Sequence, residues 1–481
     1  MREVAFSKLQ NVARGGWPDV IPVLALAGAV YARSLDAYFH GDDFVAFVDL
    51  VTKPPLDHLY DAVTFSDTNF YWRPLGQLYY RCLYEVFGLD PAAFRVANLV
   101  IFLVTLTLVH RLCLRFGFPR PAAAAAVLFI ALFPNHVVSV AWVTNAPRLL
   151  ATAAFVTTLL LLHRAFGAGR GRPAYEAAAW CCMLLACLFD EVAIALAPVP
   201  VAYAVLVQRE YRAPVLLGVR ALAYGGFVAA LLPLQLSHTL DDEPRLARYH
   251  LSGQVFEQTW ALYSQLALPL ADSNPMDVVV STIPDEQWAA GAAAIGLCAA
   301  AFVAGSWTMR FLAVWTAAAL APFTLWDMPV VAPRYVYMAA VPFAMLLAAA
   351  ASSLVSLAAR LRLAPAAAGA ALAALLAASV YGWDVTRERD QTWEEDIERF
   401  RVLATTMKQS YPELPHGTRL IINDGVWWRF WRWPEVTVQV IYRDPSLRVL
   451  NIAAGRPYEP TPNDLILYYK DGRLSTTQAS R

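Results

Sequence analysis

About eleven apolar stretches, most close to 20 residues long, recur along this chain and leave little choice of fold class. A bilayer-spanning helix needs about 20 apolar residues. It must also pair every backbone N–H and C=O within itself, because no water reaches them there. The stretches lie near 17–34, 92–114, 120–141, 146–164, 174–190, 192–208, 213–236, 288–306, 311–328, 336–358 and 363–382. The two flanking Asp190-Glu191 are short and read as a tight hairpin. Composition agrees: 58% of the 481 residues are hydrophobic and 16% are charged, against roughly 25% charged in soluble domains. A water-soluble enzyme, a disordered chain and a fibrous protein are thereby excluded. The 38 basic and 38 acidic residues cancel, and no basic block stands out, so no nucleic-acid partner is expected. Six cysteines lie in or near apolar runs without a C-x-x-C spacing, which reads as packing rather than zinc or redox chemistry.

Lys and Arg set the orientation. Arg2, Lys8 and Arg14 precede the first stretch. Arg111, Arg115 and Arg120, then Arg164, Arg170 and Arg172, then Arg209 and Arg212, Arg310, and Arg360 and Arg362 occupy every second link. The alternate links hold acids: Asp36, Asp42, Asp43, Asp49, Asp57, Asp61 and Asp67 in one, Asp241, Asp242 and Glu243 in another. This pattern predicts a cytoplasmic N-terminus and, for an odd number of spans, an outer C-terminus. Ala29-Val-Tyr-Ala32 looks cleavable, but ten further spans make the first stretch an uncleaved anchor.

Two outer links are long. In the first, 35–91, Arg73, Gln77, Arg81 and Glu85 recur every four residues and share one helix face, with Leu75, Leu78 and Cys82 on another. An interfacial helix is predicted, its polar stripe facing water or a site. In the second, 237–287, Phe256, Trp260, Tyr263 and Leu266-Ala267 repeat at helical spacing. That loop is expected to lie at headgroup level over a lipid-substrate site. From about 382 the charges become dense. A helix over Glu394–Lys408 is expected there, with strands over Thr418–Asn423, Thr437–Tyr442, Arg448–Ile452 and Leu465–Tyr469. The fold class is therefore an all-α polytopic membrane domain over 1–381, followed by a small extracytoplasmic α+β domain over 382–481.

Candidate chemistry gathers on the outer side. His40-Gly-Asp-Asp-Phe44 follows the first span. In a partly dry cleft one of Asp42 and Asp43 can act as general base while the other tunes it. The plainer alternative is a solvated turn. Arg73, Arg148 and Arg334 sit at outer helix mouths, against the charge rule. One anionic ligand, such as a lipid phosphate held by guanidinium forks, gives all three a reason; pairing of each Arg with a nearby acid or headgroup is the alternative. Asp190-Glu191 is either functional or the salt-bridge mate of Arg148 or Arg334. His136 either contacts substrate or fills a polar gap. Trp427, Trp428, Trp431 and Trp433 cluster in the C-terminal region, suited to core packing or membrane docking more than to sugar stacking.

In their order, these motifs resemble the polyprenyl-phosphate-sugar-dependent glycosyltransferases of the GT-C fold, in particular the protein O-mannosyltransferase-like branch. The matching residues are Asp42-Asp43, Arg73-Pro-Leu75, Phe87-Gly-Leu89, Asn98-Leu99, Pro134-Asn-His136, Ala141-Trp-Val143, Arg148-Leu-Leu150, Asp190-Glu191 and Arg334-Tyr-Val-Tyr337. They span roughly 17–355. The chain departs in carrying Asp-Asp rather than Asp-Glu, in placing Asp190 where relatives have Lys, and in a C-terminal domain unlike their appendages. The resemblance implies an inverting glycosyltransferase of the inner (plasma) membrane, bacterial in style. It would move a sugar from a polyprenyl-phosphate donor to a hydroxyl of a protein, lipid or glycan acceptor. It assigns Asp42 as base with Asp43 in support, and Arg73, Arg148 and Arg334 with Tyr335 to the donor phosphate. His136, Asp190 and Glu191 remain substrate-contacting or structural. No cofactor is certain; a divalent cation is left open, two carboxylates being too few ligands alone. The rival function is a flippase or transporter of lipid-linked cargo, although no paired broken helices of the kind common in transporters are found.

Overall fold

The structure, a computed structural model, describes residues 17–64, 71–167, 171–237, 254–268, 285–325, 330–361, 397–422, 433–451 and 464–470, with shorter pieces such as 239–240, 243–244, 278–279 and 473–478 and scattered positions between 370 and 394. It divides into two compact units. One comprises 1–33, 97–141 and 146–390; the other comprises 34–96, 142–145 and 391–481.

The first unit is helical. Among the described residues six helices are long and apolar enough to cross a membrane: Pro18–Asp36, Pro91–Arg115, Val143–Gly167, Pro214–Gln235, Gln287–Ala304 and Pro333–Arg360. The chain is built as an integral membrane protein. Large apolar side chains such as Val215, Leu222 and Leu354 face outward from these helices, as expected of helices solvated by lipid rather than water. The six correspond to six of the apolar stretches read from the sequence. Arg172–Phe189 and Trp307–Thr324 are unbroken helices of 18 residues each. The stretch near 120–141 is divided into Arg120–Ala131 and His136–Ala141, with Pro134 between them. The stretch near 192–208 becomes a 3-10 helix, Glu191–Leu196, and then Val199–Leu206. Pro198 and Pro200 account for that break, because proline lacks the N–H that would continue the ladder. The stretch near 363–382 lies almost wholly outside the described residues.

Aromatic contacts mark this core. Phe155 packs on Trp315 at 5.3 Å between centroids, and Tyr203 lies edge-on to Phe311 at 5.5 Å. The helix expected in the second long loop is present as Gln254–Ala267. It packs on Asp285–Ala304, and Trp260 donates to the Trp288 carbonyl at 2.7 Å. Residues 245–253 and 269–277 of that loop lie outside the described residues.

The second unit combines helices with a sheet. Its helices include Gly41–Thr52, Pro55–Thr64, Pro74–Phe87 and one over 397–410. The sheet orders its strands Arg448–Asn451, Arg419–Ile422, Asp464–Lys470 and Arg473–Gln478. The first three are mutually parallel and the last closes an antiparallel hairpin.

Two expectations are corrected here. Thr437–Tyr442 is not a strand but part of the helix Trp433–Tyr442, which crosses over between two parallel strands. Val436 through Val440 are all buried. This helix is covered by both the sheet edge and the Gly41–Thr52 helix, so its β-branched run reflects burial on every side rather than a period of two. In Pro74–Phe87 the middle of the polar stripe is turned inward, while Glu85 at its end stays exposed. Gln77 and Arg81 are buried while Leu78, Val86 and Phe87 are exposed. Arg81 donates to the Leu50 carbonyl and, at 3.2 Å, to that of Lys53, and pairs with Glu85 at 3.0 Å. Its five donors are better satisfied by the carboxyl end of Gly41–Thr52 than by solvent. The strand Arg473–Gln478 was not expected from the sequence.

The tight packing at Trp260 is testable. A Cβ on Gly291 would lie 2.7 Å from Trp260 Cδ1, whereas one on Gly296 meets nothing within 4 Å. Gly291→Ala is expected to destabilise the detergent-solubilised protein by about 1–3 kcal/mol through overpacking. Gly296→Ala should be neutral or slightly stabilising, as read by thermal unfolding.

Candidate functional site

The candidate residues fall into the two units. Asp42, Asp43 and Arg73 belong to one; His136, Arg148, Asp190, Glu191, Arg334 and Tyr335 belong to the other.

The acidic pair opens the helix Gly41–Thr52. His40 is its N-cap: the ring Nδ1 accepts from Asp42 N at 3.4 Å, and His40 N donates to Asp43 Oδ2 at 2.8 Å. This reciprocal capping satisfies donors that a helix start otherwise leaves bare. The other Asp43 oxygen accepts from Thr144 N at 2.9 Å, so both are engaged by backbone. Asp43 is fully buried, and burial pushes its pKa up to about 6 against the pull of Arg95 and the two N–H donors. Arg95 is itself buried and donates to the carbonyls of Ala37 and Tyr38. It thereby holds the turn that delivers His40.

Asp42 differs from its neighbour. It is half-buried, and its Oδ1 accepts from the indole Nε1 of Trp433 at 2.7 Å. Aromatic rings surround His40: Trp433 at 4.6 Å, Trp142 at 5.1 Å and Phe400 at 5.5 Å, all edge-to-face. Trp433 thus lies against the acidic pair, while Trp427, Trp428 and Trp431 lie outside the described residues. Arg73 is the N-cap of Pro74–Phe87 and sits 4.5 Å from the Tyr71 ring centroid.

In the other unit Arg148 pairs with Asp190, Nε to Oδ2, at 3.1 Å, both side chains being buried. Asp190 also caps the 3-10 helix Glu191–Leu196, Oδ1 accepting from Val192 N at 3.0 Å. Of the two mates the sequence left open, Arg148 is seen paired with Asp190. Its Nη1 donates to the Arg334 carbonyl at 3.3 Å, and its guanidinium lies over Phe323. Phe323 stacks on Tyr335 at 4.4 Å and 9°, and the Arg334 guanidinium lies over Tyr335. Two cations and two stacked rings therefore form one group, which the sequence suggested only through Arg148, Arg334 and Tyr335. Glu191 is half-buried at the start of the 3-10 helix. His136 is buried among Phe102, Phe133 and Tyr337, with Nδ1 2.9 Å from the Ile130 carbonyl. That geometry closes the end of Arg120–Ala131.

Arg95, Thr144, Phe323 and Trp433 are the site neighbours that sequence reasoning missed as such. Only Trp433 carried a signal, as one of a tryptophan cluster. Among the described residues no group of three or more His, Cys, Asp or Glu is placed to hold a metal ion.

Two outcomes follow from the geometry. The raised Asp43 pKa means that the folded chain holds a proton more tightly than the unfolded chain between about pH 4 and about pH 6. Stability from this group should be greatest below pH 4 and decline as pH rises through 6. The thermal unfolding temperature of Asp43→Asn should lack that component of the decline. Arg148→Ala should cost about 3–5 kcal/mol, because it strands a buried carboxylate. Replacing Arg148 and Asp190 together by apolar residues should cost less, and a double-mutant cycle on detergent stability reads the difference.

No protein-family model matches the chain, and no curated protein matches it. Solved structures do. The structure of ArnT from Cupriavidus metallidurans bound to undecaprenyl phosphate matches at a TM-score of 0.52 and 16% identity, covering 95% of this chain and 94% of that one. The Archaeoglobus fulgidus oligosaccharyltransferase, tethered to an acceptor peptide containing the NVT sequon, matches at 0.51 and 14%, covering 91% of this chain and 64% of that one. The chain is similar to both over almost its whole length, and its fold is the GT-C fold.

Proposed function

We propose that the protein is an inverting glycosyltransferase of the membrane. It would move a sugar from a polyprenyl-phosphate donor to an acceptor hydroxyl on the outer face. The observation that carries this reading is Asp42: a half-buried carboxylate at a helix start, held by an indole N–H beside a fully buried second carboxylate, on a chain of the GT-C fold. One of the similar structures is bound to undecaprenyl phosphate and the other is tethered to an acceptor peptide. Those ligands support a lipid-phosphate donor and a peptide or glycan acceptor here. The motif order supports the protein O-mannosyltransferase-like branch.

In this reading Asp42 takes the proton of the acceptor hydroxyl, which is a poor nucleophile at neutral pH. The freed oxygen bonds to the anomeric carbon as the bond from that carbon to the phosphate oxygen breaks, inverting the centre. The polyprenyl phosphate leaves with the negative charge. Arg73, Arg148 and Arg334 with Tyr335 are the candidates for offsetting it. Asp190 already neutralises Arg148, so Arg148 is better suited to holding the Arg334 backbone in place than to supplying net charge. Asp43 serves as the fixed support of the turn. The six long apolar helices and the shorter ones are read as about eleven crossings. The N-terminus is then cytoplasmic, and residues 382–481 form an extracytoplasmic domain.

Asp42→Asn is expected to lower sugar transfer by about 10²–10⁴-fold without lowering the thermal unfolding temperature. The measurement is transfer of label from a radiolabelled polyprenyl-phosphate hexose to acceptors in membranes holding the full-length protein. Wild-type turnover by Asp42→Asn overturns the base assignment. Translocation of the labelled lipid across vesicles without transfer supports a flippase instead.

A further inference from the structure

We propose that Arg209, Arg310 and Trp307 form a binding site for the headgroup of an anionic phospholipid, at the membrane boundary that the charge pattern assigns to the cytoplasm. The site lies wholly within the helical unit, and it is independent of the transfer reaction.

Two links between apolar helices meet there. Gln287–Ala304 ends just before Trp307, which opens the next helix, Trp307–Thr324. Arg209 stands shortly before Pro214–Gln235. The Arg209 guanidinium lies 5.5 Å from the Trp307 ring centroid, and that of Arg310 lies 4.7 Å from it. The indole attracts each cation through its ring quadrupole but cancels neither charge. Among the described residues neither arginine pairs with a carboxylate. The acid next in sequence is already engaged: Glu210 pairs with Arg172 and Arg220, which also share Glu176. Those four charges cancel one another, and no described residue offsets the two on Trp307.

Backbone geometry points to the side chain as well. Arg209 holds φ 54° and ψ 40°, in the left-handed region. Glycine or asparagine enters that region at lower cost, so arginine stands there for its side chain and not for the turn. Arg310 is also fixed in direction, since Nη2 donates to the Val303 carbonyl at 3.0 Å. Its other nitrogens find no acceptor among the described residues. A guanidinium against an aromatic face keeps its N–H groups available in its own plane, and such a fork fits phosphate oxygens.

The surroundings favour a lipid over a free phosphate. Phe302 and Val303 are exposed at the end of Gln287–Ala304, and Val215 and Val219 are exposed at the start of Pro214–Gln235. In a membrane these side chains face acyl chains, so a phosphate held by the arginines has an apolar surface beside it for its tails. Trp307 and Tyr211 are exposed too, and such amphipathic rings favour the headgroup level. A zwitterionic headgroup carries its own cation, so two arginines select an anionic one.

The test uses the full-length protein in phosphatidylcholine vesicles, with phosphatidylglycerol or phosphatidylcholine brominated high on its acyl chains. The fluorescence missing from Trp307→Phe identifies the signal of that indole. Brominated phosphatidylglycerol should quench it at a mole fraction about 25-fold lower than brominated phosphatidylcholine. Arg209→Gly and Arg310→Gln should each reduce this preference about fivefold. Arg209→Gly also relieves the left-handed backbone, so its thermal unfolding temperature should be kept or raised, which separates lost binding from lost folding. Arg360→Gln removes a charge from the same boundary and should leave the preference unchanged. Equal quenching of the wild type by the two lipids overturns the proposal. So does an equal loss of preference in Arg360→Gln, which marks a diffuse excess of anionic lipid in place of a site. In detergent, phosphatidylglycerol should raise the unfolding temperature of the wild type more than that of Arg209→Gly, and inorganic phosphate should not. If inorganic phosphate raises it as much, the ligand is a soluble anion and the lipid assignment is overturned.

Discussion

One buried carboxylate organises the candidate site. Asp43 has no exposure, and its two oxygens accept backbone N–H groups from His40 and from Thr144, 101 residues further on. A carboxylate taken out of water is costly unless donors meet it. The turn before Gly41–Thr52 and the 3-10 helix Val143–Asn145 are therefore tied to this side chain. The helix start so defined places Asp42 one residue earlier, half-buried, where its carboxylate meets an indole. The two neighbouring acids thus differ in surroundings: Asp43 is fully buried on two backbone N–H groups, and Asp42 is half-buried with an indole N–H on Oδ1.

A comparable device operates in the helical unit. The Arg148–Asp190 pair is buried, and Asp190 also caps the 3-10 helix that follows it. Buried pairs of this kind add little net stability, since desolvation offsets the attraction, but losing one partner is severe. Their effect is on arrangement. Arg148 reaches the Arg334 carbonyl, and the stacked Phe323 and Tyr335 rings lie beneath the two guanidinium groups. Arginine keeps its charge and offers a flat face, so it can stack and hydrogen-bond at once.

The helical part of the fold was legible to within a few residues. Pro91–Arg115, Pro214–Ser237 and Tyr337–Arg360 begin and end close to where hydropathy placed them, because lipid solvation demands an apolar run of defined length. Breaks inside apolar runs were less visible, since Pro134 and Pro198 interrupt the ladder without changing hydropathy. Outside the membrane the reading weakened. The run Thr437–Tyr442 is rich in β-branched residues like a strand yet is helical, because consecutive burial of Val436 through Val440 erases the pattern that distinguishes the two periods. The stripe of Gln77 and Arg81 was correctly assigned to one face, but its direction was not. Whether such a face meets water or a neighbouring helix end depends on the acceptors nearby, here the Leu50 and Lys53 carbonyls.

Sequence alone determined that this chain is an integral membrane protein, that an acidic pair follows its first apolar stretch, and that arginines stand at the starts of several later helices. Each is a local property, set by transfer free energy or by charge counted along the chain. Tertiary structure alone decided which acid is buried, which arginine is neutralised and what the acids touch. Asp42 and Trp433 are 391 residues apart, and Arg148 and Asp190 are 42 apart. A partnership of that separation leaves no periodicity in the sequence. It exists because folding removes water from both groups, and each must then find its hydrogen bond in whatever the chain has brought alongside.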